Sequence, residues 1–237
     1  MANEYRIPQE FIDRESFYHF DDFHWLISPH QWTNLASDGG VTAFAQSDAH
    51  GGVIQGATGA TDNNEIAVRT TNELFDPANG KPMWGAGRIQ YTESNTDDAN
   101  VFFGFCSALA ANTLVDDGAG PRTTGSIFGI YKVDGGTVWR CITRNGTDST
   151  DNISLTTAGG ASHQVLEVFI KDFSVLQCVV TFKVDGVFLR DTTTGLVIEH
   201  RVNYASNTEM NFGVYVKAGS ANSETMNVDW LAYASVR

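Results

Sequence analysis

Basic residues are scarce in this chain: Lys and Arg number 15 against 28 Asp and Glu, a net charge of −13. A surface of that sign repels phosphate, so neither nucleic acid nor an anionic bilayer is the expected partner. Proline is scarce as well, at 5 residues beside 23 glycines. That balance describes many turns between strands rather than a Pro-rich linker. Cysteine occurs three times, at Cys106, Cys141 and Cys178. An odd number cannot pair fully within one chain. All three sit among apolar neighbours, so they are expected to be buried free thiols, which fits synthesis in a reducing compartment. No apolar run approaches the roughly 18 residues of a membrane span; one of the longest is Val101–Cys106. The start, Met1 to Arg6, shows no basic region followed by an apolar stretch, so no secretory signal is expected. Without one, the glycosylation patterns at Asn145-Gly146-Thr147 and Asn152-Ile153-Ser154 carry little weight. Helical periodicity is also missing: the best helical piece is short, around Ala108 to Leu114.

What is present is a period of two. Leu176, Cys178, Val180, Phe182 and Val184 share one face, and Gln177, Val179, Thr181 and Lys183 take the other. Asp185-Gly186 follows, then Val187 to Asp191. A two-residue Asp-Gly loop between alternating runs is the strongest short hairpin signal. Similar alternation marks Ile127–Val133, Val138–Ile142, Val165–Lys171, Met210–Val216 and Val228–Val236. Earlier strands are expected at Val41–Gln46, Gly52–Gln55, Glu65–Thr70, Met83–Thr92 and Asn100–Cys106. A dozen or more strands punctuated by turns imply an all-β antiparallel sandwich or barrel. In the last strand Val228, Trp230, Ala232, Ala234 and Val236 are expected together on the core side. No linker divides the chain. Residues 1–20 are expected to be an N-terminal arm or an irregular segment packed on its own domain, and residues 21–237 a single β-sandwich domain.

The order of several motifs resembles the concanavalin-like jelly-roll sandwich, the legume-lectin and laminin-G type of fold. It runs from Gln31-Trp32-Thr33-Asn34-Leu35 through the Gly-rich Gly51–Gly59 and Met83–Tyr91 to Asn100–Cys106. The Val184-Asp185-Gly186-Val187 hairpin and the closing Val228-Asp229-Trp230-Leu231 follow. The stretches Phe102–Ala108, Asp116–Pro121 and Phe128–Lys132 also resemble structural proteins of tailed bacteriophages. That second resemblance implies a non-enzymatic virion component, a capsid decoration (cement) or head-associated accessory subunit that binds and bridges major capsid proteins. Such a subunit would be made in the host cytoplasm, sit on the capsid exterior, and form a homotrimer or dimer. Tyr5, Ile7, Phe11, Phe17 and Tyr18 would then be the anchors toward a partner chain. The alternative is a carbohydrate-binding, lectin-like module taking a glycan, on a virion or tail fibre or free.

Catalytic signatures are absent. None of His19, His24, His30, His50, His163 and His200 falls in H-x-H or H-E-x-x-H spacing. Sandwich glycosidases carry carboxylates alternating on one strand, and no such triplet occurs; Glu167 is isolated, with Lys171 following on its face. Gly160 to Gln164 is no nucleophile elbow, and Gly80-Lys81 no phosphate loop. The chain is therefore read as not an enzyme, with no cofactor expected. No two cysteines are close enough in sequence to suggest a zinc site, and Asp116 and Asp117 are either solvated turn residues or ligands for calcium. Sugar-stacking candidates are Trp25, Trp32, Trp84, Trp139 and Trp230, each weighed against a place in the core.

Overall fold

The computed structural model describes residues 7–12, 16–26, 30–36, 38–47, 51–146, 148–174, 177–204 and 208–237. Eighteen strands form among them: β1 (Ser16–Asp21), β2 (Trp32–Leu35), β3 (Thr42–Gln46), β4 (Ile54–Ala57), β5 (Glu65–Thr70), β6 (Met83–Thr92), β7 (Ala99–Cys106), β8 (Leu114–Val115), β9 (Gly120–Pro121), β10 (Ser126–Lys132), β11 (Val138–Asn145), β12 (Asp148–Thr157), β13 (Gly160–Lys171), β14 (Gln177–Val184), β15 (Val187–Phe188), β16 (Glu199–Asn203), β17 (Asn211–Ala218) and β18 (Thr225–Val236). Among the described residues, helix is confined to α1 (Gln9–Ile12) and one 3-10 turn at Pro77–Asn79. The run from Ala108 to Leu114, expected as the best helical piece, is turns and bends as far as Thr113, where Asn112 is left-handed at φ 57, and Leu114 opens β8. Asn tolerates that conformation locally, and it breaks a helix.

Two antiparallel sheets stack as a jelly-roll β-sandwich. One holds seven strands in the order β12-β11-β10-β7-β17-β5-β2; the other holds nine, along β15-β14-β13-β6-β18-β4-β3. Twelve-residue β18 pairs with β6 on one side, and its other side is divided. Thr225–Val228 pairs with β4, and Leu231–Val236 pairs with β1. The segment 16–21 is thus a strand of the domain itself, crossing the residue 20/21 boundary drawn from the sequence. The Asp185-Gly186 hairpin forms as expected, with φ 51 and 77 at its two positions and Val184 opposite Val187.

Between the sheets lies an aromatic-rich core. Phe75 meets Phe105 edge-on at 4.8 Å and Tyr233 at 5.4 Å. Trp139 lies here, edge-on to Tyr91 and donating its indole N–H to Gln164 at 2.9 Å. Trp32 is also buried here, bonded to Asp21 at 2.7 Å. All three cysteines are free and buried, as expected. His200 is buried and bonds Thr143 and Asn152, each at 2.9 Å. Burial pulls its pKa down to about 4, so it is neutral. Gly85 faces inward, where an added Cβ would stand 2.4 Å from the Phe212 ring and 3.0 Å from Phe105.

The expected face of β18 needs a correction. A register shift lies between Val228 and Trp230. Met226 and Val228 point into the sandwich, but beyond the bulge Trp230, Ala232, Ala234 and Val236 lie in a different cluster on the outer face. One extra residue inverts every side chain that follows.

At the rim, Lys132 is 1% exposed, and its ammonium bonds Glu93 at 2.7 Å and the carbonyls of Asp97 and Ala99 at 2.9 Å. Nearby Glu224 is fully buried. Burial first, then the Glu93 and Asp98 carboxylates, push its pKa up to about 7, against smaller pulls from the Ser94 backbone and Lys132. A carboxyl that keeps its proton to about pH 7 when folded, and to about 4.5 when unfolded, costs stability as pH rises through that window. Glu224→Gln should therefore stabilise the protein at pH 8 by about 1–3 kcal/mol and leave it unchanged at pH 4, read by urea unfolding at both values. Gly85→Ala should cost about 1–3 kcal/mol in the same assay, because the Phe212 ring must shift.

Candidate functional site: a groove on the outer face of the nine-stranded sheet

Beyond the bulge, the outer face of the nine-stranded sheet is apolar. Trp84 and Ala86 of β6 stand beside Trp230, Ala232, Ala234 and Val236. Water contact with that much apolar area is unfavourable, and the chain covers part of it with its own N-terminal segment. Phe11 is 2% exposed and lies 5.8 Å from the Phe169 ring. Ile7 packs on the same cluster, and Phe20 lies 5.7 Å from the ring of Trp230.

What the segment leaves open is a groove of about 260 Å³ lined by Pro8, Trp84, Glu167, Phe169, Lys171, Thr181, Lys183 and Phe188. Strand register sets its floor. Trp84, Phe169 and Thr181 are opposite one another across β6, β13 and β14. The neighbouring row runs Ala86, Glu167, Lys183, Phe188 across β6, β13, β14 and β15. Side chains directly opposite in antiparallel pairs stand about 5 Å apart, so an aromatic row lies against a charged one. The Glu167 carboxylate accepts from the Trp84 indole N–H at 3.4 Å. The Lys183 ammonium stands 4.8 Å from the Phe188 ring centre, and Lys171 5.6 Å from that of Phe169. Lys171 also pairs with Asp172 at 3.6 Å. The arrangement offers apolar ring faces, one carboxylate acceptor and two cationic donors within one concavity.

The sequence had singled out Trp84 and placed Glu167 and Lys171 on one face. Phe169 lies between them on that face, a signal the alternation already carried. Thr181, Lys183 and Phe188 escaped, because nothing local says that β14 and β15 pair beside β13. Of the other tryptophans, Trp32 and Trp139 fill the core, Trp230 is 9% exposed and Trp25 is 77% exposed.

The remaining sequence candidates lie elsewhere. Tyr5 is outside the described residues. Phe17 is half-buried, packed on Phe75 and Tyr233 at 6.1 and 6.2 Å with Arg237 above its ring. Tyr18 is 63% exposed. Ile7, Phe11 and Phe17 therefore rest on their own domain, and Tyr18 faces outward. Asp117 is an exposed turn residue at φ 55. Asp116 instead bonds the ammonium of Lys217, which is 1% exposed and also reaches Asn112 Oδ1 at 2.8 Å, the Leu114 carbonyl at 3.2 Å and Glu65 at 3.7 Å. These oxygens surround the protein's own cation. Among the described residues, no three His, Cys, Asp or Glu are grouped to hold a metal.

No family model matches the chain, and no curated protein matches it. Solved structures do. An endo-1,3-β-glucanase from Streptomyces sioyaensis matches with a TM-score of 0.60 at 14% identity, over 94% of this chain and 97% of that one. The Emp47p carbohydrate recognition domain matches at 0.56 and 12%, over 97% and 96%. Lectin II from Ulex europaeus matches at 0.52 and 11%, over 93% and 99%. The fold is that of the concanavalin-like and legume-lectin sandwiches. At these identities the likeness is one of fold.

Lys217→Met should lower stability by about 3–5 kcal/mol, because Glu65 and Asp116 lose the cation they surround. Millimolar calcium should leave the melting temperature of the unmodified protein unchanged; a rise would mean that acidic side chains here do take the ion.

Proposed function

We propose that this chain is a carbohydrate-binding module that takes a saccharide in the groove over Phe169 and Phe188, with the buried Trp84 beneath them. The observation that carries the reading is the pairing of the two rows. Sugar C–H faces stack on aromatic rings, and hydroxyls bond to fixed charged groups beside them. Glu167 supplies the acceptor, and Lys171 and Lys183 supply donors. A carboxylate or sulfate on the sugar would also meet the two ammonium groups. The sandwich neighbours support it: two of those named above are a carbohydrate recognition domain and a lectin.

The third is a glucanase, so a hydrolytic reading has to be weighed. Hydrolysis of a glycosidic bond ordinarily uses two carboxyl groups flanking it. Among the described residues that line the groove, Glu167 is the one carboxylate, which favours holding the sugar over cleaving it. A place on a virion, with the major capsid protein as partner, gains no support from these neighbours.

Lys183→Ala with Phe188→Ala removes a cation and a half-exposed ring without touching the core. On a glycan array the unmodified chain should bind a defined set of saccharides. By calorimetry, the double variant should bind the best of them at least tenfold more weakly, about 1.4 kcal/mol, at an unchanged melting temperature. A blank array, or a double variant that binds as well as its parent, rejects the groove.

A further inference from the structure

Arginine has an uneven distribution on this acidic protein. Arg88, Arg140 and Arg201 are paired with Asp229, Asp151 and Glu199. Arg69, Arg122 and Arg144 are different: all three are half-buried, all three gather on the outer face of the seven-stranded sheet, and their bonds go to neutral acceptors. Arg69 donates to the Asn211 side chain. Arg122 donates to the Ala108 carbonyl at 2.9 Å and to Ser107 Oγ at 3.2 Å. Arg144 donates to the Arg122 carbonyl and to Ser149 Oγ at 3.1 Å. Among the described residues none of the three makes an ion pair with a carboxylate. The buried Nε–H groups of Arg69 and Arg122 have no acceptor. The charges of Arg122 and Arg69 both reach Cys106 between them, where they oppose the upward push of burial on its thiol; exposed Glu73 adds the opposite sign.

Register sets their spacing. Arg69 lies opposite Gly213 on β17, whose Asn211 is opposite Cys106 of β7. Cys106 is opposite Ile127 of β10, which is opposite Arg144 of β11. Arg69 and Arg144 thus sit four strands apart, about 19 Å between backbones. Arg122, on the loop that crosses this face, fills the interval. Gly125 fixes it there: φ is +76, and a Cβ would stand 2.5 Å from Ser107 Oγ and 2.9 Å from an Arg122 Nη. Three partly desolvated like charges, none in an ion pair among the described residues and with the exposed Glu73 as the acid that acts on the same cysteine, keep capacity for an anion. Guanidinium is the side chain whose geometry suits a tetrahedral oxyanion.

We infer that Arg69, Arg122 and Arg144 form a binding site for an oxyanion, sulfate or phosphate, free or carried as an ester on a polysaccharide. The site is on the opposite sheet from the groove and stands independently of it.

Binding is measured by calorimetry at low ionic strength with inorganic sulfate, inorganic phosphate, dextran sulfate and uncharged dextran as probes. At least one of the three anionic probes should bind and uncharged dextran should not. Saturation by an inorganic ion assigns the free-ion source, and binding of dextran sulfate alone assigns the ester. Arg69→Gln with Arg144→Gln should weaken that binding at least tenfold, and Arg144→Gln alone should weaken it in part. Arg201→Gln, at an exposed paired arginine, and Lys183→Ala, in the groove, should bind as the parent does. The ligand-free double variant should still unfold cooperatively, while the ligand-induced rise in melting temperature seen in the parent should vanish. Absence of binding by all three anions overturns the site, and so does full binding by the double variant. An equal loss in Arg201→Gln overturns it too, since the attraction would then be diffuse.

Discussion

A single bulge in the last strand sets the arrangement of both faces of the nine-stranded sheet. Before Asp229, β18 sends Met226 and Val228 into the sandwich; after it, Trp230, Ala232, Ala234 and Val236 stand on the outside. An outer face that apolar has to be covered. The residues that cover it come from the other end of the chain: β1 docks along Leu231–Val236, and α1 lays Phe11 over the sheet. The groove is what this cover leaves exposed, so the candidate site follows from the same irregularity that closes the fold.

The seven-stranded sheet meets a comparable demand differently. Its outer face carries Phe102, Cys106, Ile127, Tyr131, Ile142 and Tyr215, over which Leu109 and Leu114 pack. A polar pin holds that cover down. Lys217 gathers oxygens from Asn112, Leu114 and Asp116 of the crossing segment, while Glu65 of β5 accepts from the Asn112 backbone at 3.0 Å. Buried charge of this kind is costly unless every partner is in place, which makes the pin a registration device as well as a contact. Lys132 plays the same part at another rim, drawing Glu93 and the Asp97 carbonyl together.

These features make the sandwich two-sided. One face presents aromatic rings beside lysines and a glutamate, the other three arginines that make no ion pair among the described residues. Both are suited to holding a ligand against a rigid sheet, where the side chains lose little freedom on binding.

Strand content was legible from residue alternation, because burying one face of a pleated strand imposes a period of two. Glu65–Thr70 and Met83–Thr92 form with the expected bounds. The Asp185-Gly186 hairpin was equally legible, since its left-handed backbone favours those residue types. Local pattern also placed Glu167 and Lys171 on a common face. It did not fix the β13–β14 register that sets Lys183 and Phe188 beside them, and it could not order the strands that carry Arg69 and Arg144, because pairing between distant strands has no local signature. Nor could it see the bulge at Asp229: alternation assumes constant register, and one inserted residue reverses which face is buried. Asp116 likewise reads from sequence as a calcium-ligand candidate, and only folding brings Lys217, a hundred residues further on, against it. The amino-acid order by itself determined where strands and turns lie, through local sterics and side-chain periodicity. Tertiary structure alone decided which faces are covered and which charges are paired, because those depend on contacts that only the closed sandwich creates.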